Sequence, residues 1–183
     1  MDELAILGRG SSLFQHDLTR YEKELSDIVL KSKFLVIGGG GSIGQAVTKE
    51  LYKRAARTLH VVDLNENYLV ELVRDIRSSF CNLVEDFDTF AVDCGQPYFE
   101  KLMHKGEYDY VLNLSAMKHV RSENSAFSMY RMFQTNVLNA INTYEWAKES
   151  GVSKYFCVSS DKAANPVNIM GASKSLMEKL ILS

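Results

Sequence analysis

Proline is nearly missing from this chain. Among 183 residues only Pro97 and Pro166 occur, and no low-complexity linker or internal repeat separates them. Cysteine is also sparse. Cys81, Cys94 and Cys157 are odd in number and lack metal-ligand spacing, so they read as ordinary thiols of a reducing compartment. Neither sign of charge dominates: 21 basic against 23 acidic residues leave a formal net charge of −2. That balance gives no electrostatic case for nucleic acid or a membrane surface. No apolar run approaches the ~20 residues a membrane helix requires. Met1 to Arg9 lacks the basic-then-apolar layout of a signal peptide. His16, His60, His104 and His119 are scattered, so structural or surface roles are expected and no metal site. What remains is a soluble, cytoplasmic chain long enough for one well-buried core.

Against these absences one segment stands out. Phe34-Leu-Val-Ile is an apolar run that ends in Gly38, Gly41 and Gly44, and a helix-compatible stretch from Gln45 to Arg57 follows. Strand, tight turn and helix in that order are the context of a dinucleotide-binding fingerprint. Gly38 suits the turn's unusual dihedrals. Gly41 lets a pyrophosphate approach the backbone, and Gly44 lets the helix sit close on the strand. Free N–H groups at the helix start then hold phosphate. The next apolar run, Leu59-His-Val-Val-Asp63, ends in an acid 19 residues after Gly44, placed to bind a ribose 2′-hydroxyl. A glycine triplet alone also fits a flexible loop; the acid after the second strand favours a nucleotide.

The rest of the chain alternates in the same way. Strands are predicted near 33–38, 58–63, 87–92, 109–114 and 154–159, with helices near 43–56, 67–79, 96–104 and 124–150. A last helix begins near Gly171. This is an α/β pattern, and it implies a Rossmann-like, doubly wound parallel sheet with ligands outside the carboxyl ends of its strands. Ahead of it, residues 1–32 form a lead-in. Leu18, Tyr21, Leu25, Ile28 and Val29 recur there at helical spacing, which predicts an amphipathic helix packed on the main body or offered to a partner. The fifth strand would leave its edge unprotected unless something covers it. Residues 33–183 read either as a small complete domain or as the first part of a larger enzyme.

A second constellation follows the fifth strand, Lys154 to Lys174. Its apolar run delivers Ser160, Asp161 and Lys162 to the strand's carboxyl end, and a helix then carries Met170 and Lys174 four residues apart on one face. Taken alone, Asp161 and Lys162 fit an exposed turn and Asn165-Pro166 a helix start. After a dinucleotide fold they read as a hydroxyl, a carboxylate and an amine beside the nicotinamide.

With these residues the chain resembles the extended short-chain dehydrogenase/reductase superfamily. Within it, the chain is most similar to the polysaccharide-biosynthesis nucleotide-sugar 4,6-dehydratases that act on UDP-N-acetylglucosamine. The likeness spans residues 33–183 and rests on Gly38 to Gly44, Asn113 to Val120, Thr135-Asn136-Val137 and the specific run from Ser159 to Lys174. It implies NAD as cofactor. Gly38, Gly41, Ser42, Ile43 and Gly44 would line the pyrophosphate, with Asp63 on the adenosine ribose and Asp93 and Cys94 at the adenine. Ser115, Ala116 and Lys118 would border the nicotinamide, and Lys174 would bond its ribose. The resemblance also implies a UDP-sugar substrate and internal redox chemistry. Hydride leaves sugar C4 for NAD⁺, a base takes the C5 proton, water departs from C6, and hydride returns to C6. Lys162 is the candidate C5 base or an electrostatic support, Asp161 the C6 acid, and Ser160 the group that bonds the C4 oxygen. A base role needs a depressed lysine pKa.

The departures matter as well. Family enzymes usually carry tyrosine where this chain has Met170, as the methionine-bearing branch does. Methionine exchanges no proton, so Asp161 or a water must take the C4 hydroxyl proton. Arg121, Ser125-Ala126 and Asn139-Ala140 replace residues common in the family and loosen the subgroup rather than the fold. Asp63 followed by Leu64 favours NAD over NADP, because a 2′-phosphate would meet a carboxylate and no cation. Related enzymes pair through helices matching 124–150 and 171–183, so a homo-oligomer is expected there. Family members continue into a C-terminal substrate domain, and this chain stops just beyond Lys174. A same-superfamily epimerase and an NAD-binding module without catalysis are the alternative readings.

Overall fold

The computed structural model describes residues 8, 10, 12–118 and 125–183. Five parallel strands make one sheet: β1 (Lys33–Ile37), β2 (Thr58–Asp63), β3 (Asp86–Ala91), β4 (Tyr110–Asn113) and β5 (Lys154–Cys157). Their spatial order is β3-β2-β1-β4-β5. From β1 the chain winds outward first to one side and then to the other, the Rossmann-type doubly wound arrangement. The predicted strands are all present, each displaced by at most two residues.

Burial on both faces explains the unbroken apolar sequence of β1. Phe34 and Val36 join a core cluster with Leu51 of α2 (Ser42–Lys53) and with Leu69, Leu72 and Ile76 of α3 (Glu66–Ser79). Leu35 and Ile37 face the other way, into a cluster with Phe99 and Met103 of α4 (Pro97–Gly106) and Ala147 of α6 (Asn139–Glu149). The outer strands β3 and β5 alternate between exposed and half-buried positions, and Phe156 of β5 is 54% exposed. Among the described residues β5 pairs only with β4, and its exposed positions are Lys154 and Phe156.

Three helices add detail to the sequence expectations. The helix predicted over 124–150 is divided: α5 (Ala126–Phe133) runs into a π-helical turn (Gln134–Leu138) and then α6. A π turn has no signature in a 3.6-residue repeat. The last helix, α7 (Ile169–Ile181), begins within two residues of Gly171 as expected, and Asn168 caps it, its side chain accepting the Gly171 N–H at 2.8 Å. The amphipathic helix, α1 (Gln15–Lys31), forms but barely packs. Only Val29 is buried, while Leu18, Tyr21, Leu25 and Ile28 stay exposed. α2 and α3 already cover that face of the sheet, so α1 is held mainly by Val29 and the Glu22–Arg54 ion pair at 3.1 Å. Among the described residues no helix is long and apolar enough to cross a membrane. His119, Val120 and Arg121 lie outside the described residues.

The glycines after β1 differ in what they tolerate. A Cβ on Gly44 would lie 2.2 Å from Gly38 O and 2.6 Å from Gly39 Cα, whereas one on Gly41 meets only Gly38 O at 3.5 Å. Gly44→Ala should therefore cost about 1–3 kcal/mol of stability, and Gly41→Ala should stay within about 0.5 kcal/mol. Urea unfolding measures both; equal midpoints for the two variants would contradict this packing.

Candidate functional site

The strands' carboxyl ends open into one cleft of about 800 Å³. Its first wall is the turn after β1. Gly38 takes a φ of +79°, a conformation that L side chains rarely adopt. Gly41 precedes α2 as its N-cap, no side chain caps that helix, and no acid stands in its first turn. By contrast, Asn65 and Asn168 cap α3 and α7. The positive end of α2 is thus left to an anion. Beside it, Asp63 accepts the Gly40 N–H on Oδ2 and the Asn65 N–H on Oδ1, each at 2.9 Å. Two fixed backbone donors orient the carboxylate and still leave lone pairs for a hydroxyl.

The second wall follows β3. Asp93 accepts the Gly95 N–H at 2.9 Å and faces Arg131 at 3.6 Å. Cys94 is buried, and burial followed by the Asp93 charge pushes its thiol up to about 11, so it stays protonated.

The floor follows β4. Buried Asn113 donates to the Tyr155 hydroxyl at 2.9 Å and accepts from both the Ser115 N–H (3.1 Å) and its hydroxyl (2.7 Å). Tyr155 and Thr143 close the network at 2.9 Å. Asn136 then bonds both the N–H and the carbonyl of Met117, at 2.8 and 2.9 Å, and reaches Ser173 of α7 at 3.0 Å. These two amides clamp Ser115 and Met117, the residues on either side of Ala116.

The last wall is the loop after β5. Ser160 donates to Asp161 at 3.0 Å and accepts the Lys162 N–H at 3.2 Å, which starts a short 3₁₀ turn (Asp161–Ala163). The Ser160 hydrogen bond, followed by Lys162, holds Asp161 below its ordinary carboxylate value. Lys162 Nζ lies 3.4 Å from Asp161, and both side chains are exposed. A Cβ on Gly171 would come within 2.5 Å of Lys162 O, so only glycine lets α7 rest this close to the turn. α7 then aims Met170 and Lys174, each 4% exposed, at the cleft. Lys174 Nζ donates to Val158 O at 2.8 Å, with Met177 Sδ at 3.7 Å. Burial lowers its pKa, opposed by Cys157 and Glu178.

Every residue assigned to the site from the sequence lines this one cleft: Gly38, Gly41 to Gly44, Asp63, Asp93, Cys94, Ser115, Ala116, Lys118, Ser160 to Lys162, Met170 and Lys174. Sequence reading gave no role to Arg131, Thr135, Asn139 or Ser159, which line it too. Thr135 and Ser159 fall inside the quoted motifs; Arg131 has no local signal, because its partner Asp93 is distant in sequence. Nor are the histidines all isolated. Parallel pairing sets His60 opposite Asp88, and ligand atoms of His60, Asp86 and Asp88 lie within 4.8 Å of one another. Both ring nitrogens of His60 are engaged there, by Tyr108 at 2.7 Å and Asp86 at 3.2 Å.

Comparison with known proteins agrees with this geometry. Residues 34–183 match the polysaccharide biosynthesis protein family. The chain belongs to that family. It is 34% identical over 167 residues to an uncharacterized membrane protein of Methanocaldococcus jannaschii, covering 88% of this chain and 46% of that one. It is 29% identical over 160 residues to an inverting UDP-N-acetylglucosamine 4,6-dehydratase of Campylobacter jejuni, covering 84% and 43%. Among solved structures, a dTDP-glucose 4,6-dehydratase of Streptomyces venezuelae with NAD bound shares the fold. Its TM-score is 0.65 at 20% identity, over 81% of this chain and 50% of that one. This family member spans about half the length of such relatives.

The buried lysine gives a pH test. Its folded-state pKa lies below the unfolded value of about 10.4, so the unfolded chain holds the proton to higher pH. Wild-type stability relative to Lys174→Met should be flat below the folded value and rise as pH climbs toward the unfolded one. Denaturant unfolding at pH 7, 9 and 10 checks the slope; parallel profiles for the two proteins would remove burial as the cause.

Proposed function

We propose that this chain is the cofactor-binding part of an NAD-dependent nucleotide-sugar 4,6-dehydratase of surface polysaccharide biosynthesis, acting on a UDP-N-acetylglucosamine-type substrate. One observation carries the reading. The uncapped α2 terminus, the braced Asp63 carboxylate and buried Lys174 all open on the same cleft as Ser160, Asp161 and Lys162. In this reading residues 33–183 form the cofactor unit and residues 1–32 its lead-in.

The residues fit a dinucleotide. A pyrophosphate would sit on the N–H groups at Ser42 to Gly44, at the helix start that no side chain caps. Asp63 would take the adenosine ribose, and Asp93 with Cys94 the adenine. Ser115, Ala116, Lys118 and Lys174 would hold the nicotinamide riboside. Asp63, with exposed Leu64 after it, favours NAD over its phosphorylated form. When bound, the dinucleotide supplies hydride acceptance at sugar C4 and delivery at C6.

The chain's own groups would manage protons. Ser160 bonds the C4 oxygen. Asp161, kept ionised by Ser160 and Lys162, takes the C4 hydroxyl proton in place of the tyrosine that Met170 replaces, directly or through water. It can then return a proton to the departing C6 hydroxyl. Lys162 removes the C5 proton. In this chain it is exposed beside Asp161, so the desolvation a base needs must come from the bound sugar or from further protein. Phe127 and Tyr130 on α5, 89% and 68% exposed, support pairing with a second copy.

Calorimetric titration of this chain with NAD⁺ is the first test, with UDP-N-acetylglucosamine present and absent. Saturable binding is expected, weakened at least about 10-fold in Asp63→Ala; an unchanged affinity would displace the ribose assignment. In a full-length protein Lys162→Ala should keep NAD⁺ binding and abolish turnover. A product lighter by one water identifies the dehydratase, whereas an isomer of equal mass would make the enzyme an epimerase.

A further inference from the structure

A histidine interrupts the apolar run of β2. His60 stands between Leu59 and Val61, and its side chain is 15% exposed. Parallel pairing places Thr58 opposite Asp86 and His60 opposite Asp88. Residues two apart on a strand share a face, so these four side chains project together from one side of the sheet. Ligand atoms of His60, Asp86 and Asp88 lie within 4.8 Å of one another, and none of the three residues lines the cleft.

Two of these groups are braced from behind. Asp86 accepts the Thr58 hydroxyl on Oδ2 at 2.8 Å, and its Oδ1 faces His60. The His60 ring meets the buried Tyr108 hydroxyl through Nδ1 at 2.7 Å, with the Phe90 and Tyr108 rings packed edge-on against it. Nε2 is left on the side of the carboxylates, 3.2 Å from Asp86 Oδ1. That separation matches the edge of a coordination polyhedron. Two ligand atoms ~2.1 Å from one cation, at roughly 90–109° to each other, lie about 3.0–3.4 Å apart. A hydrogen-bond partner on the far ring nitrogen and on the ligating carboxylate is also the usual setting of metal ligands.

Protection of the sheet edge gives another reason for the acids. β3 is an outer strand, and charge there deters pairing with a second chain. It gives no reason for the histidine, which lies on the neighbouring inner strand, or for the two braces. Among the described residues neither aspartate forms an ion pair with a lysine or an arginine. Two acids side by side with His60 as their one cationic neighbour leave local negative charge for a cation to offset.

We propose that His60, Asp86 and Asp88 hold a divalent transition-metal ion, Zn²⁺ by the chemistry of the set. One imidazole with two carboxylates suits zinc, whereas calcium takes six to eight oxygens. Nδ1–H then donates to the Tyr108 oxygen, and the Nε2 lone pair faces the ion. Three protein ligands leave one tetrahedral position for water. The ion ties the edge strand β3 to β2. This site is separate from the cleft and does not rest on the dinucleotide reading. It replaces the expectation of scattered histidines without a metal by a site that strand pairing assembles.

Calorimetric titration of the 183-residue chain with ZnCl₂ tests this, with Cys81→Ser in every sample so that no exposed thiol competes. Saturable binding is expected. His60→Ala and Asp88→Asn should each weaken it at least about 10-fold, and Thr58→Val, which removes only a brace, about 10-fold. ZnCl₂ should raise the thermal midpoint of the parent and leave that of His60→Ala in place. Asp88 is exposed, so Asp88→Asn should keep the metal-free midpoint, which separates lost binding from lost folding. Glu100, His104 and Glu149 form another such trio, its histidine 41% exposed, and His104→Ala is therefore the control that should bind as the parent does. No saturable zinc binding by the parent would overturn the proposal. So would zinc binding that survives His60→Ala and Asp88→Asn unchanged, or that only His104→Ala removes.

Discussion

The backbone after β1 passes where side chains do not fit. A Cβ on Gly38 would lie 2.7 Å from Ser115 N, one on Gly39 2.0 Å from Val61 Cγ1, and one on Gly44 2.2 Å from Gly38 O. These contacts press the turn against the ends of β2 and β4 and against the start of α2. Their closeness sets the positions of Asp63, whose carboxylate receives the Gly40 N–H, and of Ser115 at the cleft floor. A larger residue at Gly38 or Gly44 would displace the helix terminus from the sheet, and with it the concentration of N–H groups that faces the cleft.

Topology supplies the cleft, and polar packing keeps it open. Because β1 lies between β2 and β4, the connections that leave these strands diverge and a crevice forms between them. Apolar side chains cannot fill the strand ends without closing it. Instead Asn113, Tyr155, Thr143 and Asn136 bond to one another, to backbone or to neighbouring hydroxyls. Such a satisfied buried network specifies one arrangement of the loops, because each lost bond would strand its partner. Burial also raises the Tyr155 pKa, so its hydroxyl remains a neutral donor and acceptor within that network.

Much of this was legible in the sequence because it is local. Runs such as Phe34 to Ile37 and Leu59 to Val62, separated by helical repeats, announce a parallel sheet, and the glycine spacing announces the turn. Residues assigned to the cleft from motifs do converge there, because parallel strands bring all their carboxyl ends to one side. The rest depends on distant pairs. Arg131 meets Asp93 and His60 meets Asp86 only through strand order and helix placement. The π turn shifts Thr135 and Asn139 without altering residue type. The apolar stripe of α1 was readable, but its lack of cover was not, since that follows from α2 and α3 occupying the sheet first.

Burial divides the cleft chemically. Met170 and Lys174 are 4% exposed, and Cys94 is buried, so the inner part can hold an uncharged ring away from water. Asp161 and Lys162 stand at the rim, exposed and paired with each other. In water an exposed pair of this kind contributes little. Sealed from water by a covering group, the same carboxylate and ammonium would interact far more strongly. The inner half of the cleft is therefore organised by the fold of this chain alone, whereas the acid–base strength of the rim depends on what closes over it. Whatever binds across the rim is therefore also the cover that tunes these two groups.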